Sequence, residues 1–339
     1  MCRLTPTSHG HALARLLGAG CRQGGLSLCI GFMGAACFAH DATAQASVTL
    51  YGNLDLGVNK ETGRAARLQR GYNNWLGLKG KEALGGGMSA TFDLQARFSP
   101  ETGRQERSRT LWQGESSVGL EGSRFGTVRL GRALTPLWGN VWRYEPWLNS
   151  GFNASLAAYQ TGSYSSDGVD DEVLDYADFS RFSNAVFYSS PAFAGVNVEA
   201  AGTMERRGNA PARPAGIAIN VERGAVTAMA SYERNARRES IRFVGASWQV
   251  GKLRLMASHA ANNLHAAGRE RAMVLAGAYA VGADTVRAGL GRNSTLDTHK
   301  ASVGYMHALS PRTSLYADLY RERAPARRTG IALGMSHAF

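Results

Sequence analysis

Residues 87–98 read Gly87-Met88-Ser89-Ala90-Thr91-Phe92-Asp93-Leu94-Gln95-Ala96-Arg97-Phe98. Met88, Ala90, Phe92, Leu94, Ala96 and Phe98 fall on one face of an extended chain, with Ser89, Thr91, Asp93, Gln95 and Arg97 on the other. A period of two sustained over such a run is that of a strand with one apolar and one watered face. About ten residues, tilted near 45°, are what a strand needs to cross the hydrocarbon of a bilayer.

The same pattern recurs on both sides of this stretch. It is found at 48–59, 73–82, 87–98, 111–121, 126–132, 182–190, 196–204, 216–222, 225–233, 241–250, 252–261, 271–281, 285–292, 300–309, 314–323 and 329–339, which makes sixteen segments. An even number of antiparallel strands closes into a cylinder with both ends on one side and no unpaired edge. Sixteen strands enclose a lumen too wide for side chains to fill, so the expected fold is all-β, a 16-stranded antiparallel transmembrane β-barrel around an aqueous channel. A soluble sandwich or propeller fits less well, because its strands average about half this length. Trp75, Trp112, Tyr188, Trp248, Tyr279, Tyr305 and Phe339 lie near segment ends and are expected in interfacial girdles. The last segment carries the row Ile331, Leu333, Met335, His337 and Phe339. Chain ends of soluble domains usually fray, whereas an apolar row ending on an aromatic is ordinary for an outer-membrane barrel.

Residues 1–46 read as a cleaved secretory leader, with Arg3, Arg15 and Arg22, an apolar run at 26–39, and the small residues Ala44-Gln45-Ala46. Cleavage would leave 47–339 as one barrel domain. The apolar run holds about 14 residues, short of the roughly 20 of a membrane-spanning helix. Cys2, Cys21, Cys29 and Cys37 all lie in the leader, so neither a disulfide framework nor a cysteine-ligated metal is expected in the mature chain. A lipid anchor on Cys29 or Cys37 is the weaker reading, since Ala44-Gln45-Ala46 is the better processing site and a strand follows directly.

The formal charge is +12, and setting aside the leader's three arginines and Asp41 leaves +10. Such an excess suits an anionic partner. The arginines are spread over strands and loops rather than gathered along a phosphate track, and an exported protein seldom meets nucleic acid, so none is expected. The excess reads as a field acting on solutes. Mean hydropathy of −0.23 would suggest a soluble protein, but only every second strand residue of a barrel faces lipid.

Residues 133–181 hold no convincing strand, and a connection of that length marks a functional segment. It carries Glu145, Asp167, Asp170, Asp171, Glu172, Asp175 and Asp178 against Arg143 and Arg181 at its edges. Trp138, Trp142, Tyr144, Trp147, Phe152, Tyr159 and Tyr164 argue against a solvated tail. The segment is expected to fold against the inner wall and constrict the pore, its acids facing arginines across a transverse field. The alternative is an exposed surface loop. Strand parity points Lys79, Arg97, Arg129, Arg254 and Arg287 away from lipid. Arg132 has the wrong parity, yet Gly131 permits a bulge and a charge facing lipid is costly, so it too is expected inward. Residues 167–178 lack the glycine and terminal glutamate of an EF-hand loop, and no metal site is expected. His259, His265, His299, His307 and His337 are scattered, with neither a Gly-x-Ser-x-Gly nor a His-Glu-x-x-His motif, so no catalytic residue is expected.

The motifs Val48-Thr49-Leu50-Tyr51-Gly52, Leu76-Gly77-Leu78-Lys79-Gly80 and Gly126-Thr127-Val128-Arg129-Leu130-Gly131-Arg132 follow in order. Tyr188-Ser189-Ser190-Pro191 with Phe193 and Gly195, residues 309–316, and the closing Gly334-Met335-Ser336-His337-Ala338-Phe339 complete the set. Together they resemble the trimeric general porins of the Gram-negative outer membrane. The resemblance implies a homotrimer, inward folding of the third extracellular loop, diffusion of small hydrophilic solutes, and a terminal Phe339 read by the barrel-assembly machinery. The surroundings implied are outer-membrane lipid and lipopolysaccharide. By motif position Arg132 matches a pore-lining arginine and Glu145 a loop acid. Trp75 stands where a pore arginine is common, Gln95 where an acid is common and Gly114 where another arginine often falls. A passive, anion-favouring pore is the first expectation. A substrate-specific channel, hinted at by Trp75 and Trp147, is the second, and a non-channel barrel the third.

Overall fold

The computed structural model describes residues 46–106, 110–150, 152–166, 179–206 and 209–339. The leader, apart from Ala46, and Asp167, Asp170 and Asp171 lie outside them. The strands are β1 (Ala46–Glu61), β2 (Arg67–Gln69), β3 (Trp75–Gly85), β4 (Met88–Ser99), β5 (Arg104–Gln105), β6 (Glu115–Gly122), β7 (Gly126–Leu134), β8 (Arg181–Ser189) and β9 (Val196–Thr203). They continue as β10 (Ala215–Arg223), β11 (Val226–Arg234), β12 (Ser240–Val250), β13 (Leu253–Leu264), β14 (Gly268–Val281), β15 (Asp284–Asn293), β16 (Thr298–Ser310), β17 (Thr313–Ala324) and β18 (Ala326–Ala338).

β2 and β5 are three- and two-residue pieces that pair with β1 and β4 beyond the wall. The other sixteen form a closed antiparallel ring in which each strand pairs with its neighbours in the chain. β1 completes it against β3 and β18. At the seam the Gly52 amide donates to the Phe339 carbonyl at 3.0 Å and the Phe339 amide to the Gly52 carbonyl at 3.1 Å. A side chain on Gly52 would strike the Phe339 ring and the Trp75 carbonyl, so the seam needs glycine there.

Alternation along the strands sets which side chain meets which solvent. On β1, Val48, Leu50, Leu54 and Val58 are exposed on the outside, while Asn53, Asp55 and Asn59 are buried within. An exposed apolar row of this kind suits contact with lipid. Tyr188, Trp248, Tyr279 and Tyr305 are exposed near the strand ends at the short-turn side, as expected of a girdle. Trp75 departs from that expectation: it sits on the inner face beside Arg97, its ladder partner. Trp112 lies in the connection before β6, which begins at Glu115 rather than at residue 111.

The connection 135–180 contains a 3-10 helix at Val141–Tyr144 and a short helix α1 at Ala157–Thr161. Its apolar side chains pack on the inner face of β10–β17. Leu137, Tyr144 and Tyr164 join Ile241, Phe243 and Ala260 in one cluster, and Trp147, Leu156 and Tyr159 join Met256, Val274 and Tyr320 in another. These two apolar patches of the inner wall, which water would not tolerate bare, are covered by the loop.

Candidate functional site

Polar anchors hold the loop to the wall between these clusters. The Trp147 indole donates to Asp318 at 2.9 Å, and Asp318 pairs with Arg287 at 3.1 Å, the two side chains being 3% and 2% exposed. Arg287 also donates to the Tyr72 hydroxyl at 2.5 Å and the Pro146 carbonyl at 3.3 Å, and stacks over the Trp147 ring. Lys300 donates to the Asn153 carbonyl at 2.5 Å. Past α1, Glu270 accepts from the Ser163 amide and hydroxyl, from Asn262 and from Asn293. Gly162 ends α1 at φ 62°, and a side chain there would collide with Glu270 and Asn262.

Glu145 is part of the loop's own framework. Its carboxylate accepts from the Trp147 amide at 3.0 Å, the Leu156 amide at 3.5 Å, the Ser155 hydroxyl at 3.3 Å and the Asn149 amide. Burial pushes the carboxyl above its ordinary value, and the backbone donors and Arg287 pull the other way. Glu145 is 1% exposed and cannot face a solute, which corrects the expectation that it supplies the acid side of a transverse field. The loop instead presents Trp138, Trp142, Leu148 and Asn149 toward the opposite wall.

That wall and this loop edge bound a cleft of about 270 Å³, completed by Asn73, Trp75, Gln95, Arg97 and Arg181. Arg97 comes from the inner row of β4 and Arg181 from the first position of β8, where the chain leaves the loop. Glu106 sits between two guanidiniums, 2.6 Å from Arg97 and 2.8 Å from Arg70. Arg181 donates to the Gly114 carbonyl and to the Ser180 hydroxyl. The three positions that depart from the familiar porin pattern, Trp75, Gln95 and Gly114, thus meet at this one place.

The remaining basic wall is spread out. Lys79 lies over the Tyr51 ring, Arg129 pairs with Glu115 at 2.5 Å beneath the cleft, and Arg254 donates to the Arg143 carbonyl at 2.8 Å. Gly131 takes φ 128°, but it inserts no extra residue into β7: the register shift toward β8 comes from β8, where Ser183 and Asn184 together stand opposite Arg132. Against β6 the ladder runs on unbroken through Arg132 and Ser116, so Arg132 keeps the outward parity of Val128 and Leu130. Its guanidinium donates to the Gln113 carbonyl at 3.0 Å and to the Ser183 hydroxyl at 2.6 Å. The expectation of an inward Arg132 is therefore corrected. Arg181 is the cleft arginine that sequence reasoning left as a loop edge, since the bulge around Asn184 (φ 50°) hides its parity.

A closed sixteen-strand barrel with a long loop covering its inner wall defines a class of outer-membrane channel. The sequence profile of the Gram-negative porins matches residues 31–326, and the chain belongs to that family. It is 26% identical to outer membrane porin protein 32 of Delftia acidovorans, over 88% of this chain and 95% of that one. It is 30% identical to the major outer membrane protein P.IB of Neisseria gonorrhoeae over 45% of this chain and 42% of the relative. An anion-selective porin from Comamonas acidovorans superposes with TM-score 0.74 at 23% identity, over 87% of this chain and all of that one. The protein is an outer-membrane channel and not an enzyme.

Proposed function

We propose that this porin lets small hydrophilic solutes diffuse passively and favours anions, with its selectivity set where Arg97 and Arg181 face the loop. The observation that carries this reading is the cleft itself, which has guanidiniums in its wall and an apolar, aromatic loop edge opposite. The expected net charge of +10 adds a long-range field of the same sign, and the Comamonas acidovorans neighbour is described as anion-selective. Assembly as a homotrimer, surrounding outer-membrane lipid including lipopolysaccharide, and engagement of Phe339 by the assembly machinery belong to the same proposal. Recording single channels in a planar bilayer under a salt gradient tests it. A reversal potential of the sign for anion preference is expected, and cation preference would overturn the reading.

One observation favours a substrate-specific variant of this function. Trp75, Trp138 and Trp142 line the cleft together, whereas Trp147 is spent anchoring the loop. Saturable block of ion current by an aromatic carboxylate, absent with acetate, would identify it.

A further inference from the structure

Glu106 closes the short hairpin that follows β4. Phe98 and Ser99 pair with Gln105 and Arg104 of β5, and Gly103 turns the chain at φ 70°. The Glu106 amide then donates to the Arg97 carbonyl at 3.0 Å, so the pairing sets these two residues opposite each other. Opposed side chains on paired strands stand about 5 Å apart at Cβ, close enough for an ion pair. Glu106 Oε2 lies 2.6 Å from Arg97 Nε, and Oε1 lies 2.8 Å from Arg70 Nη1. Arg97 also donates to Asn73 Oδ1, and the Arg70 guanidinium lies 4.5 Å from the centre of the Phe152 ring on the long loop. A hairpin beyond the wall thus delivers a carboxylate to the back of the cleft and ties it to the connection that carries Arg70.

The Glu106 side chain is 3% exposed and that of Arg97 6%. So little water reaches the pair that a solute in the cleft meets the sum of the two charges rather than either alone. Glu145 is consumed inside the long loop, whereas Glu106 is paired directly with a guanidinium of the cleft wall. One carboxylate between Arg70 and Arg97 leaves a single positive charge where the arginines alone would place two. An acid held in this position weakens the attraction for anions without lining the passage.

We propose that Glu106 is a specificity-determining residue of this channel, its carboxylate offsetting the guanidiniums of Arg97 and Arg70 and so limiting the anion preference of the cleft. This assignment rests on the reading of the cleft as the selective passage. The test compares reversal potentials of single channels of the full-length protein in a planar bilayer under a potassium chloride gradient. Glu106→Gln keeps the size of the side chain and removes its charge. It is expected to raise the anion-to-cation permeability ratio about two- to fourfold, the order of effect of one unit charge about 10 Å away through water-like surroundings. Arg70→Gln leaves the carboxylate facing one guanidinium instead of two and is expected to lower the ratio. A merely structural role for Glu106 would loosen the cleft in both variants and move them in the same sense. Shifts of the same sense, or an unchanged or lower ratio in Glu106→Gln, would overturn the proposal. Should Glu106→Gln fail to insert, the variant combining it with Arg70→Gln leaves no buried charge of that pair unmatched. Compared with Arg70→Gln alone, it isolates the same carboxylate: a shift toward anions supports the assignment and no shift overturns it. Cation preference in the wild type would count against the anion reading, while a shift of Glu106→Gln toward anions from that baseline would still support the role of Glu106.

Discussion

Gly131 takes φ 128° where β7 turns from pairing regularly to following the loop, a conformation that side chains other than glycine rarely adopt. Gly131→Ala is expected to destabilise the protein by about 1–3 kcal/mol, measured as a lower thermal midpoint in detergent. The bulge of β8 at Ser183 and Asn184 directs Arg181 to the cleft and leaves Arg132 outside it. Arg181→Gln should therefore weaken anion preference in a salt gradient, and Arg132→Gln should leave it unchanged; the reverse result would move the constriction. Trp75→Arg should strengthen the preference, since it adds a guanidinium opposite the loop edge at the same cleft.

At the scale of elements, the long loop is fixed by its anchors. Asp318→Ala would strip Arg287 and the Trp147 indole of a buried partner together, and losing one side of such a pair typically costs about 3–5 kcal/mol. The barrel does not depend on that contact. The expected result is a loop that leaves the wall, read as noisier and altered single-channel current with β-sheet content retained. Glu145 gives the loop a defined pH response. Because burial raises its carboxyl, the folded loop holds that proton more tightly than the unfolded chain does. Its contribution is thus fullest in acid and declines as pH rises through the folded value. Acidification from about pH 7 toward pH 4 should quiet the current noise of the wild type, and Glu145→Gln should remove that dependence.

For the whole molecule, two charge systems act at different ranges. The cleft arginines, both buried in the wall, act at short range across the cleft lining, while the net field of the chain reaches solutes only within a Debye length, about 10 Å at 0.1 M salt and about 3 Å at 1 M. Anion preference should consequently shrink, without reversing, as bath salt rises over that range. The residual preference in high salt measures the share of Arg97 and Arg181.

The amino-acid sequence by itself determined the barrel, because a period of two between lipid and water is a local property of each strand, repeated until the ring closes. Parity alone also placed Lys79, Arg97, Arg129, Arg254 and Arg287 on the inner face. Tertiary structure decided the site. Only the folded loop shows that Glu145 is consumed by backbone donors, that Trp75 turns into the cleft instead of a girdle, and that Arg181 rather than Arg132 stands beside Arg97. The physical reason is that bulges and irregular loops break the two-residue period. Beyond such a break a side chain's direction depends on what the chain packs against, here Ile241, Phe243, Met256 and Val274 on the far wall.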